Sequence, residues 1–274
     1  MPVISTNTAA NSAVRYLNTN SAQMSSSLAK LSSGSKITAA SDDAAGLAIS
    51  TRISSDVTTL QQAATNASQA TSILQVADGG ASNISDILSR MKSLASESSS
   101  ATVTNSSRAY LNSEFTALSD EVDSISTGTR YSGQSLLDGT STFASGAKVL
   151  VGSDASDTIT VTLTSLKAST LGIASLDISS QSGATSALTA LDTAIDKVSA
   201  ARASIGAQES RFNFSATSIS TQSQNLQSAN SAITDVDIAA EQAKLSTAQV
   251  KVQAAVSAES AANQMPQYLL KLLG

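Results

Sequence analysis

The feature that most constrains this chain is a spacing of apolar residues at fours and threes, sustained at both ends and interrupted almost nowhere. Near the N-terminus it runs through Ala10, Val14, Leu17, Ser21, Met24, Leu28 and Leu31. Such spacing keeps one narrow stripe on one face of a helix, here from about residue 4 to 33. The pattern restarts after Ser41-Asp42-Asp43, read as a capping hydroxyl and two acids at the positive end of the helix dipole. It continues through Ile53, Val57, Leu60, Ala64, Ala67, Thr71 and Leu74 to Ile84, Leu88, Met91 and Leu94. The pair Gly79-Gly80 weakens this helix by about 2 kcal/mol relative to two alanines, which a helix of this length tolerates. Leu111, Phe115, Leu118, Val122 and Ile125 mark a third helix.

The middle of the chain breaks the period. Between Thr127 and Ser182 lie six glycines and two alternating β-branched segments, Lys148–Val151 and Thr158–Leu163, which predict a β-hairpin within about 140–180. Helical spacing then returns with Leu188, Leu191, Ile195, Val198, Arg202, Ile205, Phe212 and Ile219. Thr234-Asp235-Val236-Asp237 reads as a capping box opening the last helix. That helix carries Leu245, Ala248, Val252, Ala255, Ala262, Met265, Leu269 and Leu272, with Pro266 expected to kink or fray its end.

A helix over residues 42–98 is about 80 Å long, whereas a globule of 274 residues has a radius of gyration of about 19 Å. The expected fold is therefore mainly α: long coiled-coil helices from both termini packed into a rod-shaped, discontinuous two-domain subunit. Residues 1–45 with 230–274 form one domain, and 46–229 form a helical domain that carries the hairpin. Each end alone presents a narrow stripe with little to bury against, the mark of an assembly subunit. Composition agrees. Only 14% of residues are charged and about one in five is Ser, so uncharged polar groups flank the stripes and avoid repulsion between identical copies.

The chain has no His and no Cys. That excludes His- and Cys-based nucleophilic triads, the common zinc sites, haem and iron–sulfur ligation and disulfides. Asp235-x-Asp237 and Asp154-x-x-Asp157 lack the Gly and terminal Glu of a calcium loop and read as caps and turns. No catalytic, cofactor or metal residue is expected. A net charge of −5 disfavours nucleic acid and anionic membranes, and no stretch of 18 apolar residues is present to span a bilayer. The first residues lack the basic and apolar regions of a signal peptide, so export is expected by a route that reads none.

Several long words resemble bacterial flagellin. In the N-terminal half they are Leu31-Ser32-Ser33-Gly34-Ser35-Lys36-Ile37, Ser41-Asp42-Asp43-Ala44-Ala45-Gly46-Leu47-Ala48-Ile49 and Tyr131-Ser132-Gly133-Gln134-Ser135-Leu136-Leu137-Asp138-Gly139. In the C-terminal half they are Ala201-Arg202-Ala203-Ser204-Ile205-Gly206-Ala207, Glu209-Ser210-Arg211-Phe212-Asn213, Ala232-Ile233-Thr234-Asp235-Val236-Asp237 and Ala261-Ala262-Asn263-Gln264-Met265-Pro266-Gln267. Only about 45 residues separate the two arms, which marks a short form without the large outer domains common in that family.

The resemblance implies a secreted subunit, exported by the flagellar type III apparatus, that self-assembles into the motility filament. It implies an inner coiled-coil tube packed by Val14, Leu17, Met24, Leu28, Leu31, Leu245, Val252, Met265, Leu269 and Leu272. It implies as partners identical copies, an export chaperone at the C-terminal helix, and the hook–filament junction and cap proteins. Toll-like receptor 5 is a further implied partner, contacted at Arg90, Leu94 and Glu114, positions that could equally make lateral filament contacts. The connector from Ser32 to Gly46 is expected to order between neighbours on assembly. A low-copy junction adaptor or an adhesin is the alternative reading. Abundance in sheared surface protein separates filament subunit from adaptor.

Overall fold

The computed structural model describes residues 6–273, apart from the side chains of Pro266 and residues 268–273. Four long helices dominate: α1 (Thr8–Ser33), α2 (Ala44–Ser99), α6 (Gln181–Thr234) and α7 (Ile238–Leu273), with α3 (Asn105–Gly128) shorter and α4 (Thr142–Ser145) and α5 (Ala168–Leu171) single turns. The chain divides into two compact units, a terminal one of Met1–Ser55 with Asn225–Gly274 and a central one of Asp56–Gln224. Both divisions fall inside long helices, where the sequence carries no break to mark them.

In the central unit, the buried row of α2 runs Leu60, Ala63, Ala67, Ala70, Leu74, Ala77, Ala81, Ile84, Leu88 and Met91. On α6 it runs Ala184, Ala187, Leu191, Ala194, Val198, Ala201 and Ile205 to Phe212. Both rows keep threes and fours, with alanine at alternate contacts, so the helices approach closely along their length. Arg202 pairs bidentately with Asp78, at 2.8 and 3.2 Å, and Lys92 pairs with Asp192, tying α6 antiparallel to α2. Helix α2 passes through Gly79-Gly80 unbroken. Gly80 is needed there: a Cβ would lie 2.4 Å from Thr129 Oγ1 and 2.9 Å from Leu137 Cδ1.

The turn after α2 is held by Arg108, a buried guanidinium that the sequence pattern did not flag. Its Nε donates to Ser98 O and its Nη2 to Ser100 O, both at 2.8 Å, so a cation sits on the negative end of α2. The expected hairpin is present as β3 (Ala147–Leu150) and β4 (Thr158–Val161), paired antiparallel. Gln208, buried on α6, brackets the residue after β4, its carboxamide accepting from Thr162 N and donating to Thr162 O. A second, smaller hairpin pairs β1 (Arg130–Tyr131) with β2 (Gln134–Ser135). Its turn puts Ser132 and Gly133 at positive φ, +48° and +83°, as the tight hairpin turn demands. The turn leads directly to Leu136 and Leu137, both buried.

Two local readings need correction. Asp43, not Ser41, caps α2, its carboxylate accepting from Gly46 N at 2.8 Å. Asp42 instead shapes the connector, accepting from Thr38 N, Thr38 Oγ1 and Ala39 N. No capping box forms at Thr234–Asp237: the Thr234 hydroxyl turns back to Asn230 O, and Asp237 alone caps α7 through Ala240 N. Helix α7 continues past Pro266 to Leu273.

Candidate functional site

The terminal unit brings the two ends of the chain together as an antiparallel pair, α1 against α7. On α7 the inward row is Glu241, Leu245, Ala248, Val252, Ala255, Glu259 and Ala262, again at fours and threes. On α1 it is Ala10, Ala13, Leu17, Asn20, Met24, Ser27 and Leu31. Polar bonds fix the register near each end of the pair. Asn7 Nδ2 donates to Ala262 O at 2.7 Å, and Ser27 Oγ donates to Glu241 Oε1 at 2.7 Å. Beyond them the connectors pair as well: Lys36 N donates to Thr234 O at 2.6 Å and Val236 N to Gly34 O at 3.1 Å. Gly34, Ser35 and Lys36 of the connector are thus hydrogen-bonded within a single copy.

Glu241 is the unusual member of this seam. It is only 6% exposed, and its carboxylate accepts from the Ser27 hydroxyl and from Lys244 Nζ at 2.9 Å. The Ser27 bond first, and Lys244 second, hold it below the ordinary glutamate value of 4.5 against the opposing effect of burial. A heptad read by apolar residues alone passes over it.

The residues assigned to inner-tube packing fall into three groups. Leu17, Met24, Leu31, Leu245 and Val252 lie in the α1–α7 seam, half-buried or buried. Val14, Leu28 and Met265 turn outward, Leu28 at 58% and Met265 at 62% exposure. The side chains of Leu269 and Leu272 lie outside the described residues. Tyr16, Ile238, Val250 and Val256 are outward as well, with Val250 69% exposed. The terminal unit therefore packs Leu17, Met24, Leu31, Leu245 and Val252 among small and polar residues in its internal contact and leaves its other large apolar residues facing solvent.

In the central unit, Arg90 and Glu114 bridge α2 and α3: Nη2 and Nε of the arginine donate to Glu114 Oε1 at 2.7 and 3.0 Å. Both side chains remain about half exposed. Leu94 does not share that surface. It is 1% exposed and belongs to the core with Met91 and Phe115, so its side chain offers nothing to a partner.

Among the described residues no group of His, Cys, Asp or Glu could hold a metal ion, and no helix is long and apolar enough to cross a membrane. What the molecule does offer is two extended helical contacts, each with large apolar residues left at the surface, Leu28 and Val250 in the terminal unit and Tyr110 and Phe214 in the central one. That build is that of a helical structural protein. Residues 4–142 match the bacterial flagellin N-terminal helical region, and residues 188–273 match the C-terminal one. A flagellin of Halalkalibacterium halodurans is 35% identical over 273 residues, covering 99% of each chain. The crystal structure of Bacillus cereus flagellin shares 30% identity and a TM-score of 0.51, covering 61% of this chain and 94% of that one. A putative flagellar hook-associated protein from Vibrio parahaemolyticus, 15% identical with a TM-score of 0.58, shares the fold.

The chain belongs to the bacterial flagellin family. It is a structural subunit of the extracellular flagellar filament, built by self-assembly, and not an enzyme.

Proposed function

We propose that the terminal unit forms the inner tube of the filament and that its outward apolar residues are the surface buried between copies. The supporting observation is the placement of Val14, Leu28, Val250, Val256 and Met265 on the solvent side of a helix pair whose own seam is already filled. An isolated helix pair gains nothing from leaving such groups in water, whereas a polymer removes them from it in every copy. Leu269 and Leu272 extend the same assignment along α7. Before assembly, the exposed apolar residues of α7 suit capture by an export chaperone. At the filament's ends, the hook–filament junction and the cap meet these same helices. Arg90 and Glu114 supply the exposed charged pair on the surface that Toll-like receptor 5 would contact, with Leu94 acting only as the packing beneath it.

The test is Leu28→Asp. A carboxylate at a 58%-exposed position leaves the single copy undisturbed, but placed in a tube contact it costs several kcal/mol per subunit. No sedimentable filament should form, while the circular dichroism and melting of the central unit stay unchanged. Normal filaments from Leu28→Asp would refute the inner-tube assignment.

A further inference from the structure

Helix α7 contains a proline at position 266 yet continues to Leu273. A prolyl nitrogen has no hydrogen, so the carbonyl four residues earlier, that of Ala262, loses its helical donor. Ala262 is buried in the seam, 7% exposed, where water is poorly placed to replace that bond. The missing donor comes from the other end of the chain. Asn7 Nδ2 donates to Ala262 O at 2.7 Å across 255 residues of sequence. The same carboxamide caps α1, its Oδ1 accepting from Ala10 N at 3.0 Å.

We infer that Asn7 and Pro266 act as one device: the proline creates an unsatisfied carbonyl at one turn of α7, and the Asn7 amide at the N-cap of α1 fills it. At its end of the seam the pair marks which turn of α1 lies against which turn of α7, as Ser27–Glu241 does at the other end. Heptads alone do not fix this, because a slip of seven residues restores a seam of similar small and apolar groups. The contacts between the two marked ends suit such a slip poorly specified, since Ala13, Ala248 and Ala255 look alike from either register. Asn7 is in these terms a positioning residue for assembly, and the inference rests on the reading that the terminal unit is the part of the subunit packed in the filament.

The experiment is a double-mutant cycle on the full-length subunit, read as the critical concentration for filament assembly. Asn7→Ser keeps a good cap for α1 but is too short to reach Ala262 O. It should raise the critical concentration about tenfold in the native background, the scale of one orphaned buried carbonyl. Pro266→Ala restores the backbone N–H, so Ala262 O is satisfied within α7. In that background Asn7→Ser should change the critical concentration by less than about twofold. Equal effects of Asn7→Ser in both backgrounds, or none in either, would overturn the coupling.

Register is read separately, and the absence of native cysteine makes this clean. The bonded ends place Leu17 level with Val252, so a Leu17→Cys, Val252→Cys protein should cross-link in high yield. That yield should fall when Asn7→Ser is added and recover with Pro266→Ala. An unchanged yield would overturn the register claim. If Leu28→Asp filaments form normally, the tube assignment fails, while the Asn7–Pro266 coupling is still decided by the cross-link. If Leu28→Asp blocks assembly and the cycle is additive, the coupling alone fails.

Discussion

The two units solve the same packing problem with the same alphabet and end in different states. Each builds a seam at fours and threes with alanine or serine at the closest contacts, and each has large apolar residues one position to the side. In the central unit those neighbours are covered: Ile73, Ile87, Leu188 and Ile195 pack against the core beside the α2–α6 seam, helped by α3 and the two hairpins. In the terminal unit the corresponding neighbours, Val14 and Leu28, stay 37% and 58% exposed. A third helix makes the difference. The central unit covers both flanks of its seam within one chain, although Tyr110 and Phe214 remain at its surface, whereas the terminal seam has one side uncovered, and further copies of the chain are what can cover it.

Two substitutions of opposite type break this comparison most sharply. Leu88, fully buried, should behave as an ordinary core residue, so Leu88→Ala should destabilise the isolated subunit by about 2–5 kcal/mol. A denaturant melt of the monomer reads this directly, and a loss under 1 kcal/mol would mean that the central core is looser than its burial indicates. Leu28→Asp should do the reverse, moving assembly and not the monomer melt. If both variants lower the monomer melt alike, the distinction between a finished and an unfinished unit is wrong.

Gly80 offers a smaller and more local probe. A methyl group there must displace Thr129 and Leu137, and Leu137 is anchored by Ser126 Oγ donating to its carbonyl at 2.7 Å. Gly80→Ala should therefore destabilise the central unit by about 1–3 kcal/mol even though alanine is the better helix former. Its neighbour is the control. Nothing lies within 4 Å of a Cβ at Gly79, so Gly79→Ala should stabilise the subunit by about 0.5–1 kcal/mol. Thermal melts of the two variants should shift in opposite directions, and shifts of the same sign would show that the close approach at Gly80 relaxes freely.

These seams also show what was legible in the sequence. The existence, type and approximate ends of all five long helices followed from period and breakers, as did the β3–β4 hairpin. The exact row did not. Choosing the bulkier residue at each ambiguous step selects Val14, Leu28, Thr71, Leu188, Ile195 and Arg202. The structure buries Ala13, Ser27, Ala70, Ala187, Ala194 and Ala201 more deeply, one position earlier each time. Hydrophobicity marks which side of a helix faces its partner, but the line of closest approach belongs to the smallest side chains, because only they let the backbones near each other. The polar determinants were illegible for a related reason. Gln208 and Glu241 are buried because each meets a particular backbone group or hydroxyl far along the chain, and Arg108 because it meets the carbonyls that end α2; no apolar spacing announces such partners. The β1–β2 hairpin did carry a signal, Ser132-Gly133 between short extended residues, which its brevity hid.

The smallest expected effect separates the two units by the sign of their response to acid. With no His, little else should titrate between about pH 5 and 8, so single carboxylates become visible. Glu241 in the terminal unit sits below its ordinary 4.5 because Ser27 and Lys244 bond its charged form. Its contribution is complete above pH 4.5 and disappears as pH falls through the lowered value. Glu209 in the central unit is displaced the other way, raised above 4.5 by burial first and by the nearby charge of Asp78 second. Its ionised form is penalised in the folded state. The folded protein therefore takes up this proton at a higher pH than the unfolded chain does, and acidification from pH 7 down to about 4.5 should stabilise the central unit slightly. Asp138, held low chiefly by the Thr140 backbone N–H, works against this only below its ordinary 3.8, so the two windows do not overlap. Glu209→Gln removes the titration while keeping the side chain's size. Monomer melts between pH 4.5 and 7 should then flatten relative to wild type, whereas Glu241→Gln should leave that window unaltered and weaken the acid loss of filaments below it. An unchanged pH slope in Glu209→Gln would mean that water reaches this carboxylate more freely than its place beside Asp78 suggests.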